Sequence, residues 1–94
     1  MSHLREIQEE LNDCLAGLDG LRNDLPGVLR EDFEEWNAVF EDALFLLEVG
    51  DEEDEADVLR ELRELREHYR ACSGHSPGLS RIVRRLDGLL SDQR

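Results

Sequence analysis

The sequence predicts an all-α fold, a compact antiparallel bundle of about four helices joined by short loops. Three observations predict it. Four stretches repeat apolar residues at alternating steps of three and four, a spacing that lines side chains along one face of a helix turning about 100° per residue. Breaks carrying Gly or Pro separate them, at Pro26-Gly27, at Gly50 and at Gly74 to Pro77. A chain of 94 residues has room for one modest core and not for two, so residues 1–94 form one domain.

The first helix is expected to start near Ser2 or His3, with Ser2 capping free backbone amides, and to carry the seam Leu4, Ile7, Leu11, Cys14, Leu18, Leu21 and Leu25. Gly17 and Gly20 each cost about 1 kcal/mol against Ala within a helix, which points to close packing of a neighbour there. The helix should end near Asn23, because Pro26 biases Leu25 towards extended backbone and makes Leu25-Pro26-Gly27 a turn.

The second helix, Val28 to Val49, is the expected spine of the core and holds the only Trp and all three Phe. Leu29, Phe33, Trp36, Phe40, Ala43 and Leu47 form its seam, which places Trp36 in the core. Gly50 suits a left-handed helix C-cap.

Asp51 to Asp57 then restarts the chain, since carboxylates in a first turn complement the exposed amides and the positive end of the helix dipole. The third seam is Val58, Leu62, Leu65, Tyr69 and Cys72, with Asp57/Arg60, Arg60/Glu64 and Arg63/Glu67 spaced for surface ion pairs. Ser76-Pro77 reads as an N-cap followed by proline at the first helical position. Leu79, Ile82, Val83, Leu86, Leu89 and Leu90 line the fourth helix, which should fray over Ser91 to Arg94.

Charge narrows the function classes. The chain carries 24 acids against 11 bases, all of them Arg, for a net −13. Residues 1–50 hold −10, residues 51–57 hold −6, and residues 58–94 hold +3. Such a field repels nucleic acid and anionic membrane surfaces and attracts basic proteins, so direct nucleic-acid or membrane binding is not expected and a basic protein partner is. No apolar run has the length of a signal peptide or a membrane span, which predicts a cytoplasmic protein with reduced thiols. Cys14 and Cys72 both fall on seams and read as core residues, with a disulfide between the first and third helices as the alternative.

Three short strings resemble parts of helical-bundle enzymes. Arg63-Glu64-Leu65-Arg66-Glu67-His68 is similar to the Arg-x4-His pattern of HEPN-class ribonucleases, in which Arg and His flank the scissile phosphate. Eleven Arg and three His supply about one such spacing by accident, and His68 also reads as a surface side chain paired with Glu64. Glu53-Asp54-Glu55-Ala56-Asp57-Val58-Leu59 resembles the acidic helix of all-alpha nucleotide pyrophosphatases, whose facing carboxylates share magnesium ions. The second helix offers Glu31, Glu34 and Glu35, but Ala38 and Val39 stand where that family has its second Glu pair. His68-Tyr69-Arg70-Ala71-Cys72-Ser73-Gly74 looks like the phosphoacceptor segment of histidine phosphotransfer bundles, yet Ala71 and Cys72 replace the Lys and Gly that follow the His there. No catalytic residue, cofactor or metal ligand is assigned, and His3 and His75 have no partner ligand four residues on.

One feature exceeds the needs of a single buried face. Val28, Val39 and Leu46 lie about 80–100° to one side of the second seam, and Ala38, Phe45 and Val49 about 160–180° from it. They read either as burial on several sides of a central helix or as a contact patch for a second copy or a target. The expected function is a non-enzymatic regulator or inhibitor: an acidic bundle that occludes a basic, nucleic-acid-binding surface on a partner protein, in the manner of nuclease-immunity proteins and phage-encoded nucleic-acid mimics. Glu9, Glu10 and Asp13 on the first helix and Glu31, Glu34, Glu35, Glu41, Asp42, Phe45, Leu46 and Val49 on the second are the candidate partner-binding residues. The alternative is an adaptor or assembly subunit that forms a homodimer through the second helix. A metal-dependent nucleotide hydrolase or a ribonuclease comes third.

Overall fold

The computed structural model describes residues 3–91, so the expected Ser2 cap and the fraying of residues 92–94 lie outside the described residues. Helix α1 spans His3–Glu6, α2 Gln8–Leu21, α3 Gly27–Val49, α4 Glu52–Cys72 and α5 Pro77–Ser91. Two 3₁₀ turns, Arg22–Asp24 and Ser73–His75, precede the second and fourth connections' extended residues. No strand occurs among the described residues. The all-α bundle is therefore observed, with the first expected helix parted into α1 and α2 at Ile7, whose backbone (φ −101°, ψ 7°) leaves the helical region. The ladder survives that step, since Leu11 N donates to Ile7 O at 2.9 Å.

Each long helix packs on its neighbours in sequence, and α5 closes the ring against α2. The α2/α5 pairs run in opposite senses along the chain. A Cβ on Gly17 would lie 2.9 Å from Ile82 Cδ1, one on Gly78 would lie 2.7 Å from Leu21 Cδ2, and Asp13 reaches Arg85 at 3.7 Å. Close packing at Gly17 is thus explained. Gly20 differs, because nothing lies within 4 Å of its missing Cβ.

The four seams form one core. Leu4, Ile7, Leu11, Cys14, Leu18 and Leu25 are buried, as are Val58, Leu62, Leu65, Tyr69 and Cys72, with Leu79, Val83, Leu86 and Leu90 completing it from α5. On α3 the buried set is Phe33, Asn37, Phe40, Ala43, Leu44 and Leu47. Trp36 and Leu29 are only half-buried, which corrects the expectation that Trp36 sits in the core. Phe33, Phe40, Ala43 and Leu47 keep their expected places, and the inward face widens to take in Asn37 and Leu44 because α3 packs between α2 and α4 rather than against one partner.

The connections have local causes. Leu25 and Pro26 are extended (ψ 150° and 149°), so the chain reverses before Gly27. Gly50 does not take the expected left-handed backbone; it is extended, with φ −90° and ψ 179°. Glycine is needed there for space, since a Cβ would come 2.6 Å from Leu46 O and would collide with the Asp54 carboxylate. That carboxylate accepts the Asp51 amide at 3.0 Å, starting α4 as the acidic run predicts. Arg5 on α1 ties this corner down by donating to Gly50 O at 2.8 Å and pairing with Glu55 at 3.5 Å. Ser76 Oγ accepts the Leu79 amide at 3.4 Å, the expected N-cap of α5.

Of the ion pairs expected on α4, Asp57–Arg60 closes at 2.6 Å. Glu67 pairs with Arg70 and Arg66, each at 3.3 Å, rather than with Arg63. Arg66 and Arg70 also converge on Asp87, which clamps α5 to α4. Arg60 turns to Asp57 rather than to Glu64.

Candidate protein-binding surface

Helix α3 carries two stripes offset by one residue. Phe33, Asn37, Phe40, Leu44 and Leu47 face inward. Glu34, Ala38, Glu41, Phe45 and Glu48 follow the same alternation of four and three and are exposed. The second stripe forms one wall of a groove whose other wall comes from α2. Towards one end, Gln8, Asn12 and Leu15 face Glu41, Leu44, Phe45 and Glu48 across a cleft of about 200 Å³. Towards the other, Asp19 and Arg22 face Glu34, Asn37, Ala38 and Glu41 across about 280 Å³. Glu41 lines both, so the two clefts adjoin at that residue and follow each other along the α2/α3 groove.

Below this groove lies a polar chain joining three helices. Tyr69 Oη donates to Asn37 Oδ1 at 2.7 Å, and Asn37 Nδ2 donates to Asp19 Oδ1 at 3.3 Å. Asn37 is 6% exposed, and these bonds satisfy both ends of its amide, which makes a buried polar residue tolerable. Burial, with the Asp19 charge added, pushes the Tyr69 phenol well above its ordinary range and keeps it a neutral donor. Asn37 was legible as a seam position, four residues after Phe33 and three before Phe40. Its polarity hid it.

On the other flank of α3, Trp36 stacks on His68 with centroids 5.1 Å apart and planes 9° apart, while Phe33 and Trp36 meet Tyr69 edge to face at 5.7 and 5.8 Å. His68 therefore lies against Trp36 rather than pairing with Glu64. Glu35, Glu61 and Glu64 surround this stack at a second cleft of about 280 Å³.

The candidate residues divide among these surfaces. Glu9, Glu10, Glu31 and Asp42 are exposed. Asp13 turns to Arg85 on α5, Glu34 pairs with Arg22 at 3.5 Å, Glu41 lines the α2/α3 groove, and Glu35 lines the α3/α4 cleft. The acids of α2 and α3 thus occupy several flanks of the bundle. Phe45 and Val49 remain 64% and 62% exposed and Val28 85%, whereas Leu46 is half-buried against the core. Burial on several sides does not account for Phe45. Asp19 and Glu48 were missed as groove residues, though the spacing Glu34, Glu41, Glu48 repeats every seven positions.

The chemistry of the interior is that of packing. Cys14 and Cys72 are buried and unbonded, and burial raises both thiols above their ordinary range, opposite to the shift that activates a nucleophile. No group of three or more His, Cys, Asp or Glu able to hold a metal occurs among the described residues, and none of their helices is long and apolar enough to cross a membrane. No protein-family model, curated protein or solved structure matches this chain.

Proposed function

We propose that this protein is a non-enzymatic, protein-binding regulator of the cytoplasm, an acidic bundle that covers a basic surface on a partner protein. The observation that supports the reading is the outward disposition of α3: its acids stand exposed around two large apolar side chains, Phe45 and Val49, that the core leaves uncovered. Contiguous apolar surface rimmed by charge is the common composition of a binding site. A basic nucleic-acid-binding face is the natural complement, since a nuclease-immunity protein or a nucleic-acid mimic offers the same charges as a phosphate backbone.

The test begins with affinity capture from the native host and identification of the bound protein. Binding to that protein is then compared for the unaltered chain and for variants with Glu31, Glu34 and Glu35, or Glu9, Glu10 and Asp13, changed to Gln. Slower association and a shallower salt dependence are expected. If affinity and salt slope are unchanged in both variants, the acids serve solubility and the reading is wrong.

The same exposure of Phe45 and Val49 favours a second reading, a homodimer through α3. Sedimentation at high micromolar concentration decides it: a dimer that Phe45→Glu converts to a helical monomer supports self-association, and a monomeric unaltered protein rejects it.

A further inference from the structure

Resting on the basic-partner reading, we infer that the α2/α3 groove is the receiving site for one amphipathic, basic helix of the partner. Both walls are built for a helix. Along α2 and into the 3₁₀ turn that follows it, Gln8, Asn12, Leu15, Asp19 and Arg22 are spaced four, three, four and three; on α3, Glu34, Ala38, Glu41, Phe45 and Glu48 repeat that spacing. Two antiparallel helices with parallel heptad stripes leave between them the kind of furrow into which the knobs of a third helix fit.

The furrow also specifies what fits. Ala38 is small, while Phe45 and the half-buried Leu15 supply apolar surface. The occupant therefore presents apolar residues along its own seam. Glu34, Glu41 and Glu48 stand about 10.5 Å apart along α3, two turns each, and the ladder spans about 21 Å. Bases seven residues apart meet Glu41 and Glu48, while Glu34 already holds Arg22. Among the described residues lining the groove, Arg22 is the one base, and it is held by Glu34. A second copy of this chain is the poorer occupant, because a symmetric pairing through this groove sets the same acidic ladder against itself, and like charges brought together at an interface are costly.

Two fluorescein-labelled synthetic peptides of about three heptads test this. One carries Leu along a heptad seam with Arg beside it; the other has the same residues in an order that destroys the seam. Fluorescence anisotropy against the full chain, at about 0.15 M salt and below, reads affinity. The seam peptide is expected to bind at least about tenfold more tightly than its shuffled counterpart. Phe45→Glu should remove that margin, and so should Ala38→Arg, which fills the small position with like charge. Both sites are exposed, and circular dichroism confirms that the helices remain. Changing Glu41 and Glu48 together to Gln should weaken binding and flatten its salt dependence, whereas Glu61→Gln and Glu64→Gln, on the α3/α4 flank, should leave it unaltered. Equal binding of the two peptides overturns the groove and leaves the basic-partner reading standing, because a diffuse field attracts either. Absence of binding by both at low salt sinks both readings. Seam-peptide binding untouched by Phe45→Glu and Ala38→Arg places the site elsewhere, and self-association that needs Phe45 and resists the peptide gives the groove to a second copy.

Discussion

Two stripes of one helix, a single residue apart, meet opposite fates. Phe33, Asn37, Phe40, Leu44 and Leu47 are buried; Glu34, Ala38, Glu41, Phe45 and Glu48 are exposed. Each stripe holds one residue that suits the other. Asn37 is a polar side chain inside, and it is accepted because Tyr69 and Asp19 complete its hydrogen bonds. Phe45 is an aromatic side chain outside, and nothing within the bundle completes it. An exposed Phe forgoes about 1.5–3 kcal/mol of burial, a loss that the folded chain tolerates and that a partner can recover. The comparison teaches that a misfit inside must be satisfied by the fold itself, whereas a misfit outside is free to be satisfied by another molecule.

The largest difference should appear when the two Phe are truncated. Phe40→Ala is expected to cost about 3–5 kcal/mol, the range for deleting a buried Phe. Phe45→Ala should stay within about 0.5 kcal/mol, as surface changes do. Urea unfolding of both variants measures the gap, and similar costs would mean the stripes are not distinct.

Removing the support of Asn37 comes next. Tyr69→Phe should cost about 1–3 kcal/mol, because the Asn37 carbonyl oxygen loses its hydroxyl donor while remaining buried. Combining it with Asn37→Ala should cost less than the two separately, since the shared bond can be lost only once. The same bond predicts a pH limit. The Tyr69 phenol is raised above its ordinary value of 10.0, and the Cys14 and Cys72 thiols above 9.0. These shifts contribute stability that is full below those ordinary values; above them the unfolded chain releases protons that the folded chain retains, so stability falls as pH rises. Helicity followed by circular dichroism alongside phenolate absorbance should show phenol ionisation arriving with unfolding. Ionisation at ordinary pH values without loss of helix would place Tyr69 in water.

Helix α2 offers a smaller version of the comparison. Gly20→Ala should stabilise by up to about 1 kcal/mol, because the added methyl group meets nothing and helix propensity improves. Gly17→Ala should gain less or reverse the sign, since Ile82 Cδ1 stands 2.9 Å from the new Cβ and must shift. Thermal melts rank the two, and equal gains would show α5 yielding at no cost.

The smallest effect belongs to the exposed acids. Changing Glu34, Glu41 and Glu48 together to Gln moves the net charge from −13 to −10. It should raise stability by a few tenths of a kcal/mol at low salt and by nothing measurable at about 1 M, where the Debye length is about 3 Å. A marked loss of stability would assign these carboxylates a structural task that their exposure does not suggest.

The four seams, the turn at Pro26, the Ser76-Pro77 cap and the acidic start of α4 were legible because each is a property of a few consecutive residues. A 100° step fixes which side chains share a face, and backbone amides at a helix start need partners wherever the helix lies. The tertiary structure decided what depends on where other helices approach. It chose Asn37 and Leu44 over Trp36 for the deep face of α3, drew His68 onto Trp36, gathered Arg66 and Arg70 onto Asp87, and aligned the stripes of α2 and α3 as one groove. Periodicity is local to a helix and cannot rank two stripes with the same spacing. Burial is set by the directions from which neighbouring helices arrive, and those directions exist only once the chain has folded.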